Sequence, residues 1–227
     1  MICFLEYSLS FLAIILEYLS MRNFGDTFLN ASSKISKWLP CVILILSTFI
    51  FSDFILENNN TITFVVNFIF VIILFAVTYT NSIWEKTIIA IISYALLYAV
   101  DYLYVVLVFK ILNADYNSWL TNPSVYIIVM LSSKFTLYTI SYIVKICFKN
   151  KKISTFEKKY FYLSALFPIF SFITLVILLN ITFYYNITSY TIVIDVFGII
   201  LANIFILTIF DKLSLERELE QEKIILE

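Results

Sequence analysis

Hydrophobic residues gather along the chain into seven long runs that short polar stretches separate. The runs span about 2–20, 39–56, 62–82, 87–109, 123–148, 161–183 and 190–210. Each is near the ~20 residues that an α-helix needs to cross the hydrocarbon core of a bilayer. Pro40 and Pro123 open their runs, where a missing N–H costs nothing, and Pro168 lies well inside one. The pattern predicts an all-α, polytopic membrane protein with six or seven transmembrane helices.

The first run leaves the number of spans open. It contains Glu6 and Glu17, and each carboxylate is costly if it reaches the middle of a bilayer. If the run crosses the membrane, the chain has seven spans, which is the number we expect. If it lies along the interface as an amphipathic helix, six spans remain.

The basic residues orient the predicted helices. With seven spans, nearly all of them fall on one side of the membrane, namely Arg22, Lys34, Lys37, Lys86, Lys145, Lys149, Lys151, Lys152, Lys158, Lys159, Lys212, Arg217 and Lys223. The opposite side has Lys110, and Lys134 lies within a run. Because basic loops stay in the cytoplasm, the pattern predicts a multi-pass cell-membrane protein with its N-terminus outside and its C-terminus in the cytoplasm.

Composition indicates lipid as the solvent and disfavours several functions. The 227 residues are 62% hydrophobic and 14% charged, whereas a soluble domain has roughly 25% charged residues. A net charge of −1 without a basic patch argues against nucleic-acid binding. The lack of histidine removes His-based catalysis and His metal sites, and the cysteines form no CxxC, so we expect no metal or other cofactor. No catalytic constellation is recognisable, which leaves open whether the protein is an enzyme.

Two charged residues stand inside predicted helices. Asp101 is nine residues before Lys110, about 13 Å below the outer end of its helix. Lys134 is eleven residues after Pro123, about 16 Å below the same face. On consecutive antiparallel helices an ion pair between them would relieve the cost of both charges. The alternative is that each side chain faces water or finds its own polar neighbours.

Asp101 lies on a helix face that is rich in tyrosine. The spacing i, i+4, i+7 and i+8 places four polar residues of this run on that face, namely Tyr94, Tyr98, Asp101 and Tyr102. Asp195 lies five residues into the last run, in the same outer half as Glu6 and Asp53. This arrangement predicts an outward-facing ligand-binding pocket. Its predicted residues are Tyr94, Tyr98, Asp101, Tyr102, Lys134 and Asp195. The alternative is a belt of interfacial tyrosines with hydrogen bonds between helices.

The chain divides into a transmembrane domain, 1–210, and the start of a cytoplasmic coiled-coil or signalling helix, 211–227. Leu215, Leu219, Glu222 and Leu226 follow the 4-3-4 spacing of a coiled-coil seam, in which Glu222 is a charged interruption. A helix this short is marginal alone, so the stretch is predicted to be the first turns of a longer helix. We predict the three leucines to be signal-transmitting residues. The alternative is a charged tail that anchors the membrane edge.

The layout of six or seven spans, whose last continues into Leu213-Ser-Leu-Glu-Arg-Glu-Leu-Glu-Gln-Glu-Lys, resembles a known receptor family. It is similar to the sensor half of peptide-pheromone receptor histidine kinases, the AgrC-type quorum-sensing receptors of Gram-positive bacteria. The resemblance implies a homodimer in the lipid bilayer that binds a secreted, often cyclic, extracellular peptide at its outer face. It also implies two-component signal transduction through a cytoplasmic kinase domain in the full-length chain. The phosphoacceptor histidine and the ATP-binding motifs of that family are not in these 227 residues.

Three functions are compatible with the sequence. The first is a receptor region that senses an extracellular peptide and relays the signal through 211–227. The second is a transporter or permease subunit, for which Asp101, Lys134 and Asp195 would line a charged path. Transporters often break their helices at the binding site with glycine or proline, and this chain has few of these residues within its runs, which argues against a transporter. The third is a structural anchor, which would tolerate alanine at every intramembrane charge.

Overall fold

The structure is a computed structural model that describes five continuous ranges and several shorter stretches. These are residues 2–32, 38–51, 60–112, 123–148 and 194–205, together with 166, 169–171, 173–174, 177–178, 208–209, 216 and 219. The basic connection at 149–160 and the residues Asp53, Leu215 and Leu226 lie outside the described residues, as do the side chains of Glu6 and Lys110.

Every named element in the described part of the chain is a helix. These are α1 (Ile2–Phe28), α2 (Trp38–Ile50), α3 (Asn60–Thr78), α4 (Ile83–Leu112) and α5 (Pro123–Cys147), and an apolar helix at Ile194–Phe205. The predicted all-α fold is confirmed. Two described stretches are long and apolar enough to cross a bilayer, Ile83–Leu107 in α4 and Ile127–Cys147 in α5. They support association with a membrane, and six or seven crossings stay a prediction.

α1 is longer than its hydrophobic run. The pattern predicts a helix end at residue 20 and a connection at 21–38, but the helix continues to Phe28. That prediction is wrong because Met21, Phe24 and Phe28 continue the apolar face at helical spacing and are buried in the core. The polar side chains between them are held by contacts with other helices, described below.

α4 also begins earlier than predicted, at Ile83 rather than at residue 87. Ser82 Oγ accepts a hydrogen bond from the backbone N–H of Glu85 at 3.4 Å, which satisfies a free donor of the first turn. Asn81 Nδ2 donates to Glu85 Oε2 at 2.6 Å. This capping explains why the stretch 83–86, which the pattern predicts to be a connection, is helical.

α1 and α4 form the centre of the described bundle. α1 contacts the other four numbered helices, most extensively α5. Of the most apolar 18 residues of each helix, 72% are buried in α4 and 33% in α5. α4 is therefore enclosed by other helices, whereas one side of α5 is exposed. The largest fully buried side chains are Tyr18, Met21, Phe24, Leu29, Leu74, Phe75, Ile89, Ile92, Tyr94, Leu96 and Tyr102.

The segments that follow α1 and α3 pair with one another through an isolated antiparallel bridge. Ser32 N–H donates to Thr78 O at 3.0 Å, and Thr80 N–H donates to Asn30 O at 2.9 Å. These backbone bonds hold the segments that follow the C-terminal ends of α1 and α3 side by side.

α1 and α2 share a buried hydrogen bond between Tyr18 OH and Thr48 Oγ1, which are 2.6 Å apart. Tyr18→Phe removes one hydroxyl and leaves the other, which is buried, without this partner. We expect the free energy of unfolding, measured by circular dichroism in detergent micelles, to fall by about 1 kcal/mol. Tyr142→Phe, at an exposed ring, is the matched control and should change it by less than about 0.5 kcal/mol. Equal losses at both positions would contradict the prediction.

Candidate functional site

One lysine joins three helices in the interior. Lys134 Nζ in α5 lies 2.9 Å from Glu17 Oε2 in α1 and 2.7 Å from Asp101 Oδ2 in α4. Ser133 Oγ donates to the other carboxylate oxygen of Asp101, Oδ1, at 2.7 Å. We call Glu17, Asp101, Ser133 and Lys134 the Lys134 cluster. The predicted Asp101–Lys134 ion pair is confirmed, and a second carboxylate is added to it.

Helical rise explains why these side chains meet. Asp101 is eleven residues before the end of α4, and Lys134 is eleven residues after the start of α5, so each lies about 16 Å from its helix end. Glu17 is fifteen residues into α1, about 22 Å from its start. The long lysine and glutamate side chains span the difference. In a hydrocarbon core of about 30 Å the cluster would lie near the middle.

The Lys134 cluster has two carboxylates for one ammonium group, a net charge of −1 when all three are ionised. The side chains of Lys134 and Glu17 are 8% and 12% exposed, whereas that of Asp101 is 31% exposed. The distances of 2.7–2.9 Å are those of charge-assisted hydrogen bonds, which offset part of the cost of burying the charges. Asp101 is therefore the open edge of the cluster.

Glu17 is the site residue that sequence reasoning missed. In the sequence its carboxylate indicates only a cost to the first predicted span. One signal was available, because Lys134 is the basic residue deepest inside a predicted span. Any carboxylate at mid-depth on another helix was therefore a possible partner for it.

The predicted tyrosines pack inside the bundle. Tyr94 and Tyr102 are each 1% exposed, and Tyr98 is partly buried. The rings of Tyr94 and Tyr98 are 5.2 Å apart, and Tyr102 OH donates to Leu178 O at 3.4 Å. The predicted aromatic face of α4 exists, but Tyr94 and Tyr102 contribute to packing rather than to an open surface.

The remaining predicted site residues are elsewhere. Asp195 is exposed in the first turn of the helix Ile194–Phe205, and it is not a partner in the ion pairs of Lys134. Leu219 is 51% exposed, while Leu215 and Leu226 lie outside the described residues. The coiled-coil seam therefore stays a prediction.

A second polar cluster joins the ends of α1 and α5. Asp26 Oδ2 lies 3.7 Å from Arg22 Nε and 3.4 Å from Lys145 Nζ. Lys145 Nζ also donates to Asn23 Oδ1 at 3.1 Å, and Tyr79 OH donates to Asp26 Oδ1 at 3.1 Å. We call these five residues the Asp26 cluster. From the sequence, Arg22 and Lys145 indicate only the orientation of the helices, because Asp26 lies in the stretch 21–38 that the pattern predicts to be a connection.

Both clusters are networks of ion pairs and hydrogen bonds that connect α1 with α5. Among the residues that the structure describes, no group of three histidine, cysteine, aspartate or glutamate side chains is placed to hold a metal ion. Cys41 is buried, Cys147 is exposed, and both are free thiols. What the clusters can do chemically is to form, exchange and break ion pairs, and so to couple the positions of the helices.

Known proteins were compared with the chain by sequence and by structure. No family model, curated protein or solved structure matches the chain. A proposal for the function therefore depends on the sequence pattern and on the geometry of the two clusters.

Proposed function

We propose that the chain is the membrane-embedded sensor region of a receptor. It crosses the cell membrane six or seven times, binds an extracellular peptide and relays the signal through 211–227 to a cytoplasmic kinase domain of the full-length protein. The observation that carries the proposal is the Lys134 cluster, in which one ammonium group is shared by carboxylates from two other helices.

A shared lysine is a device for coupling a ligand to helix positions. Lys134 is bonded to Glu17 and Asp101 at nearly equal distances, and Asp101 is the partner that is open. A ligand group that contacts Asp101 competes for its carboxylate and shifts Lys134 toward Glu17. Such a shift strengthens the contact of α5 with α1 at the expense of α4. A ligand changes the conformation only through such a differential interaction with the two arrangements.

The resemblance to peptide-pheromone receptors supplies the class of ligand and the expected assembly. It favours a secreted, often cyclic peptide, a homodimer and a kinase output, in agreement with a last run that continues into the Leu/Glu-rich segment 211–227. The predicted orientation places the N-terminal ends of α1 and α5 and the C-terminal end of α4 outside. A peptide would therefore approach Asp101 from that end.

The test is binding of synthetic peptides to the chain in lipid nanodiscs. A panel of cyclic thiolactone, cyclic lactone and linear peptides is titrated by microscale thermophoresis. We expect saturable binding of at least one cyclic class, weakened at least about tenfold by Asp101→Asn, since a hydrogen bond to a charged group contributes roughly 1.5–3 kcal/mol. Glu85→Gln, on the same helix but at its other end, is the matched control and should leave the affinity unchanged. An absence of saturable binding across the panel would contradict the proposal.

A transporter or permease subunit is the second candidate, and the depth of the Lys134 cluster favours it. Charged side chains near the middle of a membrane often mark the path of an ion or a polar substrate. The two candidates differ in a measurable quantity, because a transporter moves its substrate and a receptor only binds it. Substrate flux into proteoliposomes that is abolished by Lys134→Ala would favour transport over sensing.

A further inference from the structure

The Asp26 cluster carries an unmatched positive charge. Among the described residues of the cluster, two cations, Arg22 and Lys145, are placed against a single carboxylate, that of Asp26, and the other two members are neutral. Both cationic nitrogens approach the same oxygen, Oδ2, so a single carboxylate oxygen serves two cations. The cluster is therefore electrostatically incomplete and favours an additional anion.

The two cations differ in their contacts: Arg22 makes few polar contacts, and Lys145 is bonded but partly exposed. Arg22 Nε is 3.7 Å from Asp26 Oδ2, beyond hydrogen-bonding distance. The same nitrogen is enclosed and has no hydrogen-bond partner among the described residues. The guanidinium instead stacks on the ring of Trp38, 3.7 Å from its centroid. The side chain of Lys145 is 41% exposed, so an incoming group can reach it.

The position of the Asp26 cluster matches the edge of a bilayer. Arg22 is twenty residues into α1 and Lys145 is twenty-two residues into α5, about 30 and 33 Å from the helix starts. The hydrocarbon core is about 30 Å thick, so both cations reach its boundary on the predicted cytoplasmic side. The apolar side chains beside them are exposed, as an acyl chain would require, and include Trp38, Leu39, Ile143 and Ile146.

We infer that the Asp26 cluster binds the phosphate of an anionic phospholipid in the cytoplasmic leaflet. Arg22 and Lys145 would hold the phosphate, and the exposed faces of α2 and α5 would contact the acyl chains. Anionic lipid is concentrated in that leaflet, and basic sites between helices on that side are suited to such headgroups. The inference rests on the membrane location within the proposed function, not on the sensing of a peptide.

Quenching of Trp38 by brominated lipid tests the inference on the full chain. Trp84 and Trp119 are replaced by phenylalanine, so that Trp38 is the single tryptophan. The chain in neutral detergent micelles is titrated with phosphatidylglycerol or phosphatidylcholine that carries bromine on its acyl chains. We expect saturable quenching by the anionic lipid at concentrations where the zwitterionic lipid gives none. Equal quenching by the two lipids would overturn the inference.

The variants separate charge recognition from a merely structural role. Each basic residue near a membrane surface contributes about 1 kcal/mol to the attraction of anionic lipid. Lys145→Gln and Arg22→Gln should therefore each weaken the binding roughly fivefold, and together about thirtyfold. Asp26→Asn removes the competing carboxylate and should tighten it roughly fivefold. Lys86→Gln, a basic residue outside the cluster, is the control and should have little effect.

Two further outcomes would overturn the inference. If Asp26→Asn weakens the binding as Lys145→Gln does, the cluster acts by holding the helices and not by recognising an anion. If inorganic phosphate displaces the brominated phosphatidylglycerol at micromolar concentration, the ligand is a free anion and not a lipid. Peptide binding plays no part in the measurement, so failure of the sensing proposal would leave its result interpretable.

Discussion

Lys134→Met should lower the free energy of unfolding by roughly 3–5 kcal/mol, the range for breaking a buried ion pair by removing one partner. Methionine has a similar length and fills the space, so the loss would come from charge and not from a cavity. Glu17 and Asp101 would stay in the interior as two carboxylates without a cation, and the side chain of Glu17 is only 12% exposed. Unfolding by sodium dodecyl sulfate, followed by circular dichroism in mixed micelles, measures the change.

A neutral background makes this prediction specific. In a chain with Glu17→Gln and Asp101→Asn, the further change Lys134→Met should cost less than about 1.5 kcal/mol, because it no longer strands two charges. Lys86→Met is the matched control for loss of a lysine. Its ammonium group contacts a backbone carbonyl at an exposed position, and we expect a cost below about 1 kcal/mol. The idea that the lysine holds three helices together fails if the cost of Lys134→Met is the same in both backgrounds.

Gly25→Val should be the other severe substitution, with an expected loss of about 2 kcal/mol or more. A Cβ at Gly25 would lie 2.5 Å from Tyr79 OH and 2.6 Å from two carbons of its ring. The ring cannot simply turn away, because it is 3% exposed and its hydroxyl donates to Asp26 Oδ1 and lies near Arg22 O. Moving it would break part of the Asp26 cluster as well as the packing.

The second glycine of the chain supplies the control. A Cβ at Gly198 would meet nothing within 4 Å, so Gly198→Val should be neutral or slightly stabilising, since glycine is a poor helix former. Thermal unfolding in detergent compares the two variants. The double variant Gly25→Val, Tyr79→Ser should recover at least about 1 kcal/mol relative to the sum of the single changes. No recovery would mean that Tyr79 is not the source of the cost.

The helices could largely be predicted from the hydrophobic pattern, and their ends could not. The predicted run at 123–148 corresponds to α5, and the run at 62–82 corresponds to α3, which ends earlier, at Thr78. The end of α1 was missed because a one-dimensional pattern scores Asn23 and Asp26 as polar and therefore as loop residues. In the fold both side chains contact Lys145, which follows them in the sequence by 122 and 119 residues. A partner that far away leaves no local signal.

The sequence predicts the pair of Asp101 and Lys134 in the site but not its third charged residue, Glu17. Asp101 and Lys134 lie on consecutive helices, so the rise per residue was enough to place them at one depth. Glu17 lies on a helix whose neighbours the sequence does not specify, and its contact with Lys134 follows from the packing of α1 against α5. The burial of Tyr94 and Tyr102 was unpredictable likewise, because tyrosine spacing gives a helix face but not what covers it.

The separation of the Lys134 partners along the chain has a consequence for biogenesis. Lys134 follows Glu17 by 117 residues. At about 5–20 residues per second of synthesis, Glu17 emerges from the ribosome about 6–23 s before its counter-charge. Asp101 precedes Lys134 by 33 residues and waits a shorter time.

During that interval the Glu17 carboxylate lacks Lys134, its partner in the fold, and an unpaired carboxylate in the lipid interior would be costly. α1 would then remain at the headgroups or within the insertion machinery while α2, α3 and α4 are made. Synthesis of α5 would then supply the Lys134 ammonium group, which could pair with Glu17 and stabilise α1 in its final position. If the chain crosses the membrane as proposed, insertion of α1 would therefore be completed only after α5 is made.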